Sequence, residues 1–291
     1  MKPAAFTYHR VATLDEAVAL MARFGTEAKP ISGGQSLTPM MNMRIARPAH
    51  LVDLNDLLEL DFIRVADGVV EIGAMTRHAR VASAPEVVRE LPLLAEAANT
   101  IGHYAIRQRG TLGGSLVHAD PAAQLPLIAV TLGAEIVLKS VRGLRIVAAQ
   151  DFFLSIMTVD IAEDEILTSV RFPAMGRSTG WAFDLVSRRR GDFAMASVAL
   201  ALDMDDAGRV SSLRFGIGGV SPVPARLEVV EQAAFGHQLQ AGMIAALAAQ
   251  ASAEIDPEDT PQLPATYLRE LVDLLSRRSL KKATETLGET V

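Results

Sequence analysis

Two glycine-rich segments carry the residues whose types and spacing best suit ligand binding. The first is Lys29-Pro30-Ile31-Ser32-Gly33-Gly34-Gln35-Ser36, and the second is Arg107-Gln108-Arg109-Gly110-Thr111-Leu112-Gly113-Gly114-Ser115. Adjacent glycines remove two side chains, so an anion can approach the backbone N–H groups, and the flanking hydroxyls add donors. Two such segments suit the two phosphates and the ribose of a dinucleotide. For the first segment alone, an ordinary strand-to-helix turn is an equally good interpretation.

Neither segment has the spacing of the common phosphate-binding motifs. G-x-G-x-x-G and G-x-x-x-x-G-K-[ST] are both absent, which disfavours a Rossmann site and a P-loop. A strand is predicted before the first segment and a helix after it, so the helix N-terminus adds positive potential. Arg107 and Arg109 could neutralise phosphate, although salt bridges to nearby carboxylates are an equal alternative.

The residues needed for most other chemistry are missing. The chain has no cysteine, which excludes disulfides, thiolate nucleophiles and cysteine-ligated iron–sulfur clusters in this chain. Its six histidines show no H-E-x-x-H pairing, so no metal site is predicted. No paired acid and base motif is present, and no catalytic residue is assigned. A redox carrier must therefore be organic or belong to a partner.

Composition narrows the class of protein. The chain has 291 residues, 49% of them hydrophobic, a formal net charge of −6 and only 5% aromatic residues. Mixed charges and few aromatics argue against nucleic-acid binding. No apolar run approaches the roughly 18 residues of a membrane helix, and residues 1–10 lack a signal-peptide pattern. We expect a soluble cytoplasmic protein.

The elements around the first segment predict a small α/β unit. Thr13 and Glu16 form a capping-box pattern that opens a helix through Phe24, with Gly25 as its stop. Predicted strands at residues 28–31 and near 51–53 flank a short helix at 37–44.

A mainly antiparallel unit is predicted next. Asp67-Gly68 predicts a hairpin between strands at 62–65 and 69–72. Ser83 and Glu86 suggest a second capping box, with helices to residue 98. Further strands are predicted at 112–117, 134–139 and 166–172, and a helix at 122–132.

A linker at 174–180 separates the remainder of the chain. Antiparallel strands are predicted at 181–187, 196–204 and 210–217, followed by helices; the last helix carries an apolar face of Leu268, Leu271, Val272 and Leu275. The predicted fold is α+β. It comprises an N-terminal domain at 1–173, with a small α/β subdomain at about 1–55 and a mainly antiparallel subdomain at about 56–173, and a C-terminal domain of antiparallel sheet plus helices at 180–287.

The two glycine segments and the residues around them, together with two later blocks, resemble the FAD-binding medium subunits of the molybdenum hydroxylases. This is the group of carbon monoxide, xanthine and nicotine dehydrogenases. The resemblance covers almost the whole chain. It rests on residues 29–48, 100–126 (which include His118-Ala119-Asp120-Pro121), 187–194 (Ser187-Arg188-Arg189-Arg190-Gly191-Asp192-Phe193-Ala194) and 218–226. Four blocks in the right order are more specific than either glycine pair.

The resemblance implies that both glycine segments wrap the pyrophosphate and ribityl chain of non-covalently bound FAD, with an aromatic ring near the flavin at Phe193. The residues implied to bind FAD are Lys29, Pro30, Ile31, Ser32, Gly33, Gly34, Gln35, Ser36, Ile101, Thr111, Gly113, Gly114, Ser115, Val117, Asp120, Leu167, Asp192 and Phe193. Gln124 stands where an acidic residue is usual, and Asp184 where xanthine dehydrogenases have a lysine near the flavin. The first departure implies a changed polar contact to FAD. The second implies either a different flavin potential or direct use of an acceptor unlike that of NAD-reducing relatives.

The resemblance also implies a division of labour among subunits. Substrate is hydroxylated at a molybdenum cofactor in a large subunit, electrons cross iron–sulfur clusters in a small subunit, and this chain passes them from FAD to an acceptor. The implied assembly is a dimer of heterotrimers, with Arg188-Arg189-Arg190 either contacting an acidic partner or simply solvated. Two alternatives stay open: a stand-alone FAD-dependent oxidase or reductase, and an assembly subunit that has lost its flavin.

Overall fold

A computed structural model describes residues 2–260 and 263–287, so residues 1, 261 and 262, which the predicted domains include, lie outside the described part. The fold is α+β, as predicted, and the described residues form three hydrophobic cores. The strands are β1 (Thr7–Arg10), β2 (Ala28–Ile31), β3 (His50–Asp53), β4 (Ile63–Ala66), β5 (Val69–Gly73), β6 (Glu135–Ser140), β7 (Gly143–Ala148), β8 (Phe153–Ser155), β9 (Thr158–Val159), β10 (Ile166–Pro173), β11 (Gly180–Ser187), β12 (Ala194–Met204), β13 (Val210–Gly218) and β14 (Ala225–Arg226).

The helices lie mostly in the middle and at the end of the chain. They are α1 (Leu14–Phe24), α2 (Leu37–Asn42), α3 (His78–Ser83), α4 (Pro85–Glu90), α5 (Pro92–Asn99), α6 (Tyr104–Arg107), α7 (Leu112–His118), α8 (Gln124–Leu132), α9 (Ala149–Phe152), α10 (Glu228–Ala234), α11 (Ala241–Glu254) and α12 (Ala265–Thr286).

The N-terminal unit is a three-stranded parallel sheet in the order β1-β3-β2. The Thr13 hydroxyl accepts from the Glu16 N–H and caps α1, and Gly25 ends this helix as predicted. The carboxyl ends of the three strands meet at one edge, where ligands bind in open parallel sheets. The first glycine segment follows β2 at this edge.

The middle unit is a five-stranded antiparallel sheet in the order β4-β5-β10-β6-β7, which shares a core with α3, α4, α5, α7 and α8. The hairpin around Asp67-Gly68 and the strands near 134–139 and 166–172 are confirmed. The largest core of the protein lies between this sheet and the helices. Helix α8 is buried along its whole length, which holds the residues before it in place.

Two predictions in this unit are wrong. Residues 112–117 form helix α7 instead of a strand, because the Thr111 hydroxyl accepts from the Gly114 N–H and caps a helix there. Ser83 ends α3 and bonds back to the Ala79 carbonyl instead of opening a helix. Pro85 explains the second error, since proline suits the first helical position and Ala84 becomes the cap.

The C-terminal unit is an antiparallel sheet in the order β11-β12-β13-β14. Side chains alternate between its two faces: Ala199 and Ala201 join the core with α8, while Val198 and Leu200 join the core with α11 and α12. The predicted apolar face of α12 is buried in this second core. The sheet therefore packs against α8, the helix that follows the second glycine segment and α7, and holds this part of the chain in place.

Candidate functional site

The two glycine segments meet, although 79 residues separate their contacting hydroxyls. Ser32 Oγ and Thr111 Oγ1 lie 3.0 Å apart and share a hydrogen bond. A Cβ at Gly33 would overlap the carbonyl of Arg109, and a Cβ at Gly114 would lie 2.7 Å from Thr111 Oγ1 and 2.8 Å from Ser32 Oγ. The missing side chains thus permit the contact, and the two segments form one site.

The first segment offers backbone donors. Within the described residues, the N–H groups of Gly33, Gly34, Gln35 and Ser36 are donated to no protein acceptor. Gly34 has φ +68°, a conformation that glycine adopts readily. The side chain of Gln35 turns back and donates to the Gly33 carbonyl at 2.9 Å. Consecutive free N–H groups around a left-handed residue form a concave anion-binding surface.

The second segment repeats the paired glycines and hydroxyls of the first segment, but its backbone donors differ. Its N–H groups are already used: Leu112 donates to Thr76, Gly113 to Ala74, and Ser115 to Thr111. Gly114 is exposed beside the partly buried Ser115. This segment therefore presents hydroxyls and an open glycine surface, while the first segment presents N–H donors.

His78 holds the second segment through two hydrogen bonds and was not identified from the sequence as a site residue. Its backbone N–H donates to the Gly110 carbonyl, and its Nε2 lies 2.9 Å from the Thr111 carbonyl, so Nε2 carries the hydrogen. Burial lowers the pKa of His78 to about 4. The ring is consequently neutral at pH 7, and no sequence motif distinguishes it from an ordinary core histidine.

Asn55 and Arg77 connect the two segments and were also missed. Asn55 Nδ2 donates to the Ser32 carbonyl at 2.9 Å, and Arg77 donates to Asn55 Oδ1 at 2.8 Å and to the Arg109 carbonyl at 2.5 Å. Asn55 follows β3, whereas Arg77 precedes α3. Their separation of 22 residues corresponds to no motif, so only the fold brings them together.

Most of the other residues implied by the resemblance lie on several elements of the N-terminal and middle units. Ile101 and Val117 are partly buried against the middle core, and Leu167 is buried on β10. The Asp120 carboxylate accepts from the Ala122 N–H at 2.9 Å in the turn before α8. Lys29 is exposed on β2.

The C-terminal unit contributes the loop that contains Asp192 and Phe193. A Cβ at Gly191 in this loop would lie 2.8 Å from the His103 ring, so the loop packs on the segment after Ile101. Asp192 pairs with Arg189 at 3.3 Å. Phe193 is 70% exposed, which is unusual for an aromatic ring and leaves one face available to a ligand.

The three consecutive arginines of the same loop are exposed.

Gln124 and Asp184, the two positions that depart from the family pattern, lie in different environments. Gln124 is buried at the first turn of α8. Asp184 pairs with Arg278 of α12 at 2.9 Å, and burial raises its carboxyl pKa. Asp184 lies on the α12 side of the sheet, whereas Phe183 faces the middle core. The position gives no support to the expected effect on a flavin.

The residues present fit a dinucleotide cofactor: the first segment offers free N–H groups for phosphate, hydroxyls lie beside them, and an exposed ring lies on the loop that packs on His103. Sequence comparison decides which one. Residues 4–175 match the FAD binding domain in molybdopterin dehydrogenase, and residues 181–283 match the CO dehydrogenase flavoprotein C-terminal domain. The chain belongs to the FAD-binding medium subunits of the molybdenum hydroxylases.

Relatives match this medium subunit over its full length. The 6-hydroxypseudooxynicotine dehydrogenase complex subunit alpha of Paenarthrobacter nicotinovorans is 37% identical, over 97% of this chain and 96% of the relative. A structure of carbon monoxide dehydrogenase from Hydrogenophaga pseudoflava superimposes with a TM-score of 0.95 at 36% identity, covering 99% of this chain and 100% of that one. Quinoline 2-oxidoreductase from Pseudomonas putida 86 gives 0.94 at 32%, covering 99% and 100%.

The medium subunit is thus an FAD-binding oxidoreductase subunit of multi-subunit enzymes. In residues 2–260 and 263–287, no group of three or more metal-ligating side chains is found. None of the helices described in the structure is both long and apolar enough to cross a bilayer.

Proposed function

We propose that this medium subunit accepts electrons from iron–sulfur clusters of a small partner subunit and passes them through FAD to an acceptor. A large partner subunit would hold the molybdenum cofactor and the substrate, and the complex would be a cytoplasmic dimer of heterotrimers. The observation that carries the proposal is the contact between Ser32 and Thr111, which brings the two glycine segments together and supports a single dinucleotide site there. The full-length match to a carbon monoxide dehydrogenase medium chain supports it.

We assign FAD binding to the residues that the resemblance implies. The free N–H groups of Gly33 to Ser36 are proposed to bind the pyrophosphate. Ser115 and one member of the hydrogen-bonded pair Ser32 and Thr111 are proposed as hydroxyl donors, because the other member of the pair donates within it. Phe193 is proposed to contact the flavin ring. The two domains, 1–173 and 180–287, are proposed to meet around this site, with Gly219 donating to the Pro121 carbonyl at 2.9 Å.

Bound FAD supplies the electron-carrying chemistry, and the protein binds and orients it. The chain has no cysteine for a thioether link to the flavin, so the proposed binding is non-covalent. Acid precipitation of the purified protein should release the flavin into the supernatant. Yellow colour retained in the pellet would contradict non-covalent binding.

A second experiment separates the electron-transfer function from a stand-alone oxidase. The FAD-loaded subunit should be reduced by dithionite and reoxidised by an artificial acceptor. Anaerobic mixing with aromatic heterocycles should leave the flavin absorbance unchanged until both partner subunits are added. Rapid bleaching of the lone subunit by any one compound would instead establish a substrate site in this chain.

A protein that stays colourless with added FAD would favour the other alternative, an assembly subunit that has lost its flavin.

A further inference from the structure

Arg77 occupies an unusual electrostatic position beside the two glycine segments. It is partly buried, and both of its hydrogen-bond acceptors, Asn55 Oδ1 and the Arg109 carbonyl, are neutral. Within the described ranges no carboxylate oxygen lies within ion-pair distance of its guanidinium. Burial lowers the pKa of Arg77, but an arginine stays protonated at neutral pH. The site therefore contains a partly buried positive charge that no described carboxylate pairs with directly, since Asp61 and Asp53 act on it only from a longer distance.

The hydrogen bonds of Arg77 and Asn55 end on backbone carbonyls of the two glycine segments. The Arg109 carbonyl that accepts from Arg77 is the same group on which Gly33 packs. Asn55 carries the connection onward to the Ser32 carbonyl. One guanidinium thus holds a backbone group of the second segment directly and one of the first segment through a single amide.

The orientation of the first segment follows from this connection. A peptide group is planar and trans, so its C=O and N–H point in opposite directions. When Asn55 holds the Ser32 carbonyl, the Gly33 N–H of the same peptide is turned to the opposite side. This N–H is the first of the free donors that the site offers.

We infer that Arg77 and Asn55 form a clamp that fixes the two glycine segments in position, and that the charge of Arg77 is balanced by the pyrophosphate of the cofactor. Both are positioning residues, since neither needs to touch the flavin ring. The inference rests on the proposed FAD function. The clamp explains what fixes the distance between the two segments, which the glycines and hydroxyls within them do not explain.

Three substitutions in the full-length protein separate the two parts of the clamp. Arg77→Gln removes the charge, whereas Arg77→Lys keeps it but lacks the planar fork that reaches two acceptors. Asn55→Asp keeps an acceptor for Arg77, cannot donate to the Ser32 carbonyl, and adds a carboxylate beside the guanidinium. Arg80→Gln is the matched control, because Arg80 lies in α3 and pairs with Asp61 instead.

The measurement is the FAD dissociation constant of each apoprotein at several salt concentrations, together with the apoprotein Tm. We expect Arg77→Gln to weaken binding at least about tenfold and to reduce its salt dependence, since one charge near the pyrophosphate is lost. Asn55→Asp should weaken binding to a similar degree. Arg77→Lys should weaken binding while keeping the wild-type salt dependence, and Arg80→Gln should stay within about twofold of wild type.

The outcomes distinguish this inference from the function on which it rests. A wild-type protein that fails to bind FAD would reject the proposed function. Wild-type binding with equal affinity in all Arg77 variants would reject the clamp alone. An identical salt dependence in Arg77→Gln and wild type would reject the charge balance, and an equal loss in Arg80→Gln would assign the effect to general destabilisation. If Arg77→Gln does not fold, Arg77→Lys and Asn55→Asp still test the clamp.

Discussion

The hydroxyl of Ser32 lies 3.0 Å from that of Thr111, and a Cβ at Gly114 would come within 2.8 Å of both. The missing side chain of this exposed glycine, like that of Gly33, therefore allows the two segments to touch. The hydroxyl pair has no space to accept a methyl group without moving. The first prediction concerns this position.

Gly114→Ala should weaken FAD binding at least about tenfold, because the new Cβ pushes the two hydroxyls apart. Gly33→Ala should also lower the free energy of unfolding by about 1–3 kcal/mol, since its Cβ overlaps backbone of the second segment. Spectral titration with FAD and denaturant unfolding measure the two effects. Wild-type affinity in Gly114→Ala would contradict this account of the site.

Gly242→Ala is the control for both variants. Gly242 lies in α11 with open space around it, so the substitution should add about 0.5–1 kcal/mol of stability through helix propensity. FAD affinity should not change. A loss of affinity in this variant would show that stability and binding cannot be separated by glycine substitutions.

Much of the fold follows from local sequence signals, and the site follows only in part. The cap at Thr13, the Asp67-Gly68 turn and the apolar face of α12 are each encoded by a few neighbouring residues. Residues 112–117 were misassigned because a short apolar run around two glycines fits a strand or a helix equally. The capping role of the Thr111 hydroxyl decides between them.

The roles of Asn55, Arg77 and His78 could not be predicted from local sequence signals. Each acts through contacts with residues at least 22 positions away, and none belongs to a motif. The glycine pairs could be identified because their function depends on their own missing side chains. Supporting residues depend on the fold, which only the structure provides.

Acid should destabilise the apoprotein partly through His78. Its pKa is about 4 in the folded state against 6.5 in the unfolded chain, so the unfolded state binds the proton first as pH falls. The stability held above pH 6.5 is therefore lost between pH 6.5 and 4, by roughly 3 kcal/mol. Below pH 4 this residue should cause no further loss.

His78→Gln tests this, because it removes the titrating ring and keeps an N–H donor near the Thr111 carbonyl. Urea unfolding of both apoproteins at pH 7, 6, 5 and 4 gives the comparison. The variant should be less stable at pH 7 but should lose less stability on acidification. Parallel pH profiles for the two proteins would show that His78 does not titrate in this range.

Phe193→Ala should change the environment of the flavin with little effect on the fold. The ring is 70% exposed, so its removal should alter the free energy of unfolding by less than about 0.5 kcal/mol. The absorption and fluorescence spectra of bound FAD should shift if the ring contacts the flavin. Phe235→Ala, at a ring that is 65% exposed after α10, should leave both spectra unchanged. Unaltered spectra in Phe193→Ala would remove this residue from the site.

The last prediction concerns Asp184, which the family comparison suggested as a determinant of flavin potential. Its carboxylate faces α12 and pairs with Arg278 at 2.9 Å, so most of its field is compensated within a few ångströms. The β-sheet also separates it from the core that contains Phe183 and α8. An effect on a flavin held by the glycine segments would have to cross that sheet from a neutralised pair.

Asp184→Asn should therefore leave the reduction potential of bound FAD within about 10 mV of wild type, well under the roughly 59 mV per tenfold change of a one-electron couple. Stability at pH 7 should change by less than about 1 kcal/mol, because the burial that raises the carboxyl pKa offsets much of the pairing with Arg278. Spectroelectrochemical titration of both proteins measures the potential. Arg277→Gln is the control, since Arg277 pairs with Asp273 within α12. A shift of several tens of millivolts in Asp184→Asn alone would restore the carboxylate as a tuning residue, acting through the sheet on the flavin.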